Sequence, residues 1–157
     1  MAMPVYYLRM YNVNLKAVIN VSQIFVQKLV AEGRPGSIVN VASTAAISAA
    51  PILCGYSTLK AGLVHLTKNM AVELGPLKIR ANVICPGPVE TDMLNDLLKA
   101  GQAIGLPIEQ LISSRTPSVN KMTDVNEVVN TVLFLLSNCA TNITGAVIPI
   151  DGGSTAV

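Results

Sequence analysis

Residues 37–60 read SIVNVASTAAISAAPILCGYSTLK, and two changes of rhythm inside this stretch decide the fold. Ser37-Ile38-Val39-Asn40-Val41-Ala42 is a short β-branched run, apolar almost throughout, and predicts a strand. Ser43 to Gly55 is rich in Ala, Ser, Pro and Gly and reads as a loop. From Tyr56 to Leu74 the pattern becomes helical, with Leu59, Leu63, Leu66, Met70 and Leu74 along one face, and Gly75-Pro76 ends it.

The same alternation continues outward. On the N-terminal side, Leu15, Val18, Ile19, Ile24, Phe25, Leu29 and Val30 predict a long helix over Asn12–Ala31, stopped by Gly33-Arg34-Pro35-Gly36. On the other side, Arg80 to Cys85 reads as a second strand closed by Pro86-Gly87-Pro88. Thr91 to Asn120 predicts one or two short helices, with breaks at Gly101, Gly105, Pro107 and Pro117. Thr123 or Asp124 caps a helix carrying Val128, Val129, Val132, Leu133, Leu135 and Leu136, which ends near Ser137-Asn138. Ala146 to Ile150 reads as a third strand and Asp151-Gly152-Gly153 as a turn.

Apolar strands alternating with helices predict an α/β fold, a parallel sheet covered on both faces. A doubly wound, Rossmann-like sheet has two βαβαβ halves, with its glycine-rich phosphate loop after the first strand. Neither GxGxxG nor GxxxGxG stands near the start of this chain. Residues 1–157 therefore read as a single domain, the second half of such a sheet, N-terminally truncated.

Composition narrows the classes of function. A mean hydropathy of +0.52 with only 13% charged residues excludes a disordered chain. The apolar excess is high for one small domain, so an oligomer or a missing partner piece is expected. A formal net charge of +2 gives no electrostatic case for nucleic acid or an anionic membrane. With two Phe, four Tyr and no Trp, a base-stacking platform is not expected. Cys54, Cys85, Cys139 and His65 form no CxxC or HExxH pattern, so no metal site is expected. His65 reads as structural or exposed. Cys54, two residues before Tyr56, reads equally as a pocket residue and as a small buried one. The opening Met1 to Arg9 has no basic segment ahead of an apolar core, and Ala45 to Cys54 is interrupted by Ser48 and Pro51. A soluble, cytoplasmic protein is the expectation.

The chemistry-bearing feature is Tyr56-Ser57-Thr58-Leu59-Lys60. Residues i and i+4 share a helix face, and an ammonium beside a phenol favours the phenolate, lowering a pKa that is otherwise about 10. Such a tyrosine can pass a proton to or from a carbonyl or alcohol oxygen. The bland alternative is a surface lysine one turn from a tyrosine. Ser43 follows the first predicted strand, where open α/β sheets bind ligands, and its hydroxyl can bond the same oxygen; otherwise it caps a local turn. Pro86-Gly87-Pro88-Val89-Glu90-Thr91 follows the second strand. Gly87 there permits close backbone approach and Thr91 can bond a ligand amide or phosphate, or serve as a plain N-cap.

Taken together, Asn40-Val41-Ala42-Ser43, Tyr56-x-x-x-Lys60, Pro86-Gly87 with Thr91, and Asp151-Gly152-Gly153 resemble the short-chain dehydrogenases/reductases, from about Asn12 to Gly153. Val13 to Val18, the Gly33–Gly36 turn and Ala71 to Arg80 resemble the family's dicarbonyl and sugar-ketone reductases. The resemblance implies catalytic roles for four residues: Tyr56 as general acid/base, Lys60 holding the nicotinamide ribose and tuning Tyr56, Ser43 orienting the carbonyl, and Asn14 holding a water of a proton relay. It also implies that Tyr56, Lys60, Pro86, Gly87, Val89 and Thr91 contact the nicotinamide end of NADPH/NADP, NAD not being excluded, and that the protein is a homo-oligomer built on its long helices. Met1 to Tyr11 shows no match to the family's glycine-rich half, and one serine stands where the family often has two. Two readings follow: an oxidoreductase acting on a small carbonyl or sugar, or a truncated non-catalytic chain that associates with full-length subunits.

Overall fold

The computed structural model describes residues 4–118 and 122–156. The readings of Met1 to Met3 and of Val119 and Asn120 lie outside these residues.

Pro4–Tyr11 (α1), a π-helical turn at Asn12–Lys16 and Ala17–Ala31 (α2) run on as one helix, with Tyr11, Lys16 and Ala17 all in α-helical dihedrals. Among the described residues the helix is already formed at Pro4, ahead of Asn12. The added turns rest on tertiary contact: the Tyr7 ring and Met10 lie against Gly55, where even a Cβ would meet them. The far end closes as a Schellman motif. Gly33 has φ +61°, Gly33 N–H donates to the Val30 carbonyl and Arg34 N–H to the Leu29 carbonyl.

Gly36–Val41 (β1) leads through the Ser43–Leu53 loop into Cys54–Leu74 (α3), then Ile79–Pro86 (β2). Asp92–Ala103 (α4), Ile108–Arg115 (α5) and Val125–Leu136 (α6) precede Val147–Ile150 (β3). The strands are parallel, in the order β1-β2-β3. All lie within a residue of their sequence-predicted bounds.

Leu63, Val64, Met70 and Ala71 of α3 pack against Ala81, Val83 and Cys85 of β2 and against Ala42. Burying a side chain such as Leu63, 1% exposed, stabilises by about 2 kcal/mol. Arg80 of β2 serves α6, where it donates to the carbonyls of Leu135 (2.8 Å) and Ser137 (3.2 Å), a cation closing the negative end of that helix. Asp124, rather than Thr123, caps the other end in a capping box with Glu127. Buried amides are satisfied. Asn40 Nδ2 donates to Thr67 Oγ1 (2.9 Å), and Asn82 Nδ2 donates to the Ile143 carbonyl (2.8 Å) while its Oδ1 accepts from Ala146 N–H (3.0 Å).

One expected break is absent. Gly101 lies inside α4, at a point where α5 packs so close that a Cβ would run into Ile108. The real turn is at Gly105, with φ +71°. No helix among the described residues is long and apolar enough to cross a membrane.

Candidate active site

The carboxyl end of β1 delivers Ser43 in an extended conformation, just after Ala42 N–H donates to the Ile84 carbonyl (2.8 Å). The Ser43 hydroxyl accepts from Ala45 N–H (3.2 Å) and so starts a single 3-10 turn, Thr44–Ala46. The loop then returns the chain to Cys54, which places Tyr56 and Lys60 in the first turns of α3. Ser43 and Tyr56 lie within hydrogen-bonding reach of each other. Lys60 Nζ donates to the Val41 carbonyl (3.0 Å) and stands 5.6 Å from the centroid of the Tyr56 ring. The fold therefore brings Ser43, Tyr56 and Lys60 together on one side of the sheet, at the end of β1.

Burial raises the Tyr56 pKa, and the Ser43 hydrogen bond offsets only part of that rise. The lowering by Lys60 that the sequence suggests is not what this geometry gives. The ammonium is engaged by the Val41 carbonyl and lies by the ring, and its own pKa is lowered by burial. Tyr56 is thus a neutral phenol at pH 7, a proton donor held beside a second hydroxyl. Ser57 Oγ, on the next residue, is buried and has no hydrogen-bond partner among the described residues.

The floor of the site is the end of β2. Cys85 is wholly buried, and burial pushes its thiol pKa up. Ser43 N–H and the Lys60 charge oppose that shift, and Asp151 adds to it. Pro86 ends β2 and leads into Gly87, Pro88 and Val89. Gly87 N–H donates to the Ile150 carbonyl (2.8 Å), and a Cβ on Gly87 would stand 3.1 Å from both Asp151 Cα and Thr123 Oγ1. The close approach that this glycine permits is that of its own chain. Thr91 is exposed and caps α4, accepting from Leu94 N–H (3.4 Å). Burial pushes the Asp151 carboxyl up, but hydrogen bonds from Thr155, Gly153 and Ser154 outweigh it and hold the pKa below the ordinary value.

Asn14 is in the π-helical turn rather than at a helix start. Its Nδ2 donates to the Met10 carbonyl (3.0 Å), the acceptor that residue 14 N–H would use in a regular α-helix. The neighbouring Leu15 rests on Gly62 of α3, so the turn lies against the helix that bears Tyr56 and Lys60. Cys54 and His65 are exposed.

Sequence reading missed the parts that brace the site. Thr123, read as a possible cap, is buried and donates to the Ile150 carbonyl (2.9 Å). Asp151, read as part of a turn, gathers four donated hydrogen bonds. The Ser-Thr pair after Asp151-Gly152-Gly153 was the available signal, since hydroxyls one turn beyond an aspartate readily close on it.

Comparison with known proteins adds the following. The family model described as Enoyl-(Acyl carrier protein) reductase matches residues 4–155, so the match begins ahead of the Asn12 from which the sequence resemblance runs. L-xylulose reductase of Cavia porcellus is 43% identical over 150 residues, 93% of this chain and 57% of that protein. Carbonyl reductase [NADPH] 2 of Sus scrofa is 39% identical over 148 residues, 94% of this chain and 58% of that protein. Among solved structures, a gluconate 5-dehydrogenase from Burkholderia cenocepacia in complex with NADP and tartrate superposes with a TM-score of 0.87 at 30% identity, covering 98% of this chain and 58% of that one. The chain thus spans a little over half the length of the proteins it matches.

Proposed function

The chain belongs to the short-chain dehydrogenase/reductase family, and on that premise we propose that it carries the proton-transfer residues of an NADPH-dependent reductase of dicarbonyl compounds or sugar ketones. The observation that carries the reading is the convergence of Ser43, Tyr56 and Lys60 at the end of β1. In this reading the Ser43 hydroxyl holds the substrate carbonyl oxygen, and the neutral Tyr56 phenol gives it a proton as the carbon is reduced. Lys60, tied to the Val41 carbonyl, holds the ribose at the nicotinamide end in this reading. Asn14 takes part in returning the proton.

The donors present suit the nicotinamide end of a dinucleotide: the Tyr56 and Thr91 hydroxyls, the Lys60 ammonium and the main chain from Pro86 to Val89. Their chemistry fits a ribose diol and a carboxamide. The bound cofactor would supply the hydride. Its pyrophosphate needs a glycine-rich loop at a helix N-terminus, which this sequence lacks.

A second reading is favoured by the apolar residues that α2 and α6 leave exposed, Val21, Ile24, Val129 and Leu133 among them. In it the chain is non-catalytic by itself and associates with full-length homologous subunits.

The test is to join the chain to the part of the guinea-pig L-xylulose reductase outside its match and to assay dicarbonyl and pentulose reduction with NADPH and with NADH. Tyr56→Phe should lower kcat by about 10³-fold, with cofactor affinity nearly unchanged. Lys60→Ala should damage both. Near-normal turnover in Tyr56→Phe would sink the assignment. The chain alone should show negligible reduction; micromolar NADPH binding to it would count against the second reading.

A further inference from the structure

Gly87 keeps an ordinary backbone, for it is not among the glycines with positive φ. What it gives up is volume. A Cβ there would stand 3.1 Å from Thr123 Oγ1, 3.1 Å from Asp151 Cα and 3.3 Å from Asp151 Cβ. The room that a side chain would need at the head of the loop after β2 is therefore held by Thr123 and by the turn after β3.

Thr123 is 7% exposed, and its two donors close a ring. Its hydroxyl donates to the Ile150 carbonyl (2.9 Å), which also accepts from Gly87 N–H (2.8 Å), and its own N–H donates to the Pro88 carbonyl (2.8 Å). Three segments distant in sequence meet there: the exit from β2, the approach to α6 and the end of β3. Capping of α6 falls to Asp124, so the Thr123 hydroxyl does not serve its own helix. The end of β3 is itself stiff. Asp151 accepts from Gly153 and Thr155 N–H and from the Ser154 and Thr155 hydroxyls, at 2.7–3.1 Å. Gly152 and Gly153, with φ +60° and +86°, make the tight turn that brings these donors round. Ser118 N–H adds a bond to the Gly152 carbonyl (3.1 Å).

A main-chain segment that receives a ligand binds better when its peptide planes are fixed beforehand, because ordering them on binding costs affinity. In the loop after β2, Pro86 and Pro88 fix their own φ, and the Gly87 N–H and the Pro88 carbonyl are committed to the ring. The Gly87 carbonyl and the Val89 N–H meet no hydrogen-bond partner among the described residues and are the groups left for a ligand. We propose that Thr123 is a positioning residue: its hydroxyl, set against the Asp151 turn, fixes the main chain from Pro86 to Val89 in the form that receives the nicotinamide end of the cofactor. The inference rests on the reductase reading and deepens it, since it assigns control of cofactor binding to a residue outside the proton-transfer set. Valine in place of Thr123 keeps the volume, removes the donor and sets a methyl group where the hydroxyl meets Gly87.

The test compares Thr123→Val with Thr123→Ser. Amide hydrogen exchange at Gly87 is read in the 157-residue chain. Initial rates against NADPH concentration are read in the chain joined to the part of the guinea-pig L-xylulose reductase outside its match. Thr123→Val should speed Gly87 exchange at least about fivefold. It should raise the NADPH KM about five- to tenfold while kcat falls less than about twofold, the pattern left when binding common to ground and transition states is lost. Thr123→Ser keeps the donor and should return both readouts to within about twofold of the unsubstituted protein. Unchanged Gly87 exchange in Thr123→Val would overturn the proposal. So would a lower thermal midpoint with the NADPH KM unchanged, the mark of an ordinary brace, or Thr123→Ser behaving as Thr123→Val does, which would assign the effect to the methyl group. If the unsubstituted joined protein reduces neither dicarbonyl nor pentulose, it is the reductase reading that fails, and Gly87 exchange still decides whether the Thr123 hydroxyl sets the loop.

Discussion

Ser43 and Val39 stand on the same short stretch of chain and live under opposite conditions. At Ser43 the neighbours come from nearby sequence: Ala45 donates to its hydroxyl, Tyr56 faces it, and Lys60 ties back to Val41. At Val39 both main-chain groups face away from β2 and meet no hydrogen-bond partner among the described residues, next to a groove whose walls are apolar. A proton-transfer set can be encoded within one strand-loop-helix unit because helix period and strand end fix its geometry. The outward groups of a strand edge have no such local code, since their partners are not set by helix period or strand end.

That contrast can be broken at three points. The largest effect is expected from Asn82→Ala, below the site, where loss of a wholly buried amide leaves the Ile143 carbonyl and Ala146 N–H unpaired. Denaturant unfolding should show about 2–3 kcal/mol lost; a loss under about 0.5 kcal/mol would mean that the site side is no better braced than the edge. A smaller effect is expected from acid. The Asp151 carboxyl is held below the value of 3.8 at which its unfolded counterpart protonates, so the unfolded chain takes up protons first as pH falls. Stability that is fully present above about pH 4 should decline below it, and Asp151→Asn should flatten that decline. Thermal melts from pH 6 to 2.5 on both proteins check this. The smallest effect belongs to the outer face of α2. Ile24 is 68% exposed, and Ile24→Ser should move the stability of the isolated chain by no more than about 0.5 kcal/mol. A larger loss would show that this face is already packed in solution, and would remove the difference between the two regions.

The same division sets what was legible in the sequence. The strands were readable from β-branched runs bounded by Gly and Pro, and α3 from its leucine spacing, because burial on a sheet imposes those periods directly. Ser43, Tyr56 and Lys60 followed, since their convergence needs only the loop and the first turns of α3. The extension of the first helix to Pro4 was not legible. Its stabilising contact is between Tyr7 or Met10 and Gly55, pairs far apart in the chain with no local pattern. The helical course of Gly101 was hidden for the same reason, because a glycine breaks a helix by propensity and is kept in one by the approach of Ile108. The sign of the Tyr56 shift escaped as well. Spacing shows that a lysine is near, not that the fold buries the phenol, and burial is what raises its pKa.

The π-helical turn at Asn12–Lys16 carries one residue more than α-helical winding uses for the same advance. Deleting one residue within it would let the segment close into an ordinary helix while the turns upstream keep their facing relative to α2; the same deletion in the regular helix on either side would rotate everything upstream by about 100°. Tyr7 and Met10 would then stay on Gly55, and the Met10 carbonyl would pass from the Asn14 side chain to a main-chain amide. A single-residue deletion should thus be tolerated in these five residues far better than in the regular turns of α2, where the frame of a whole helix face would be lost.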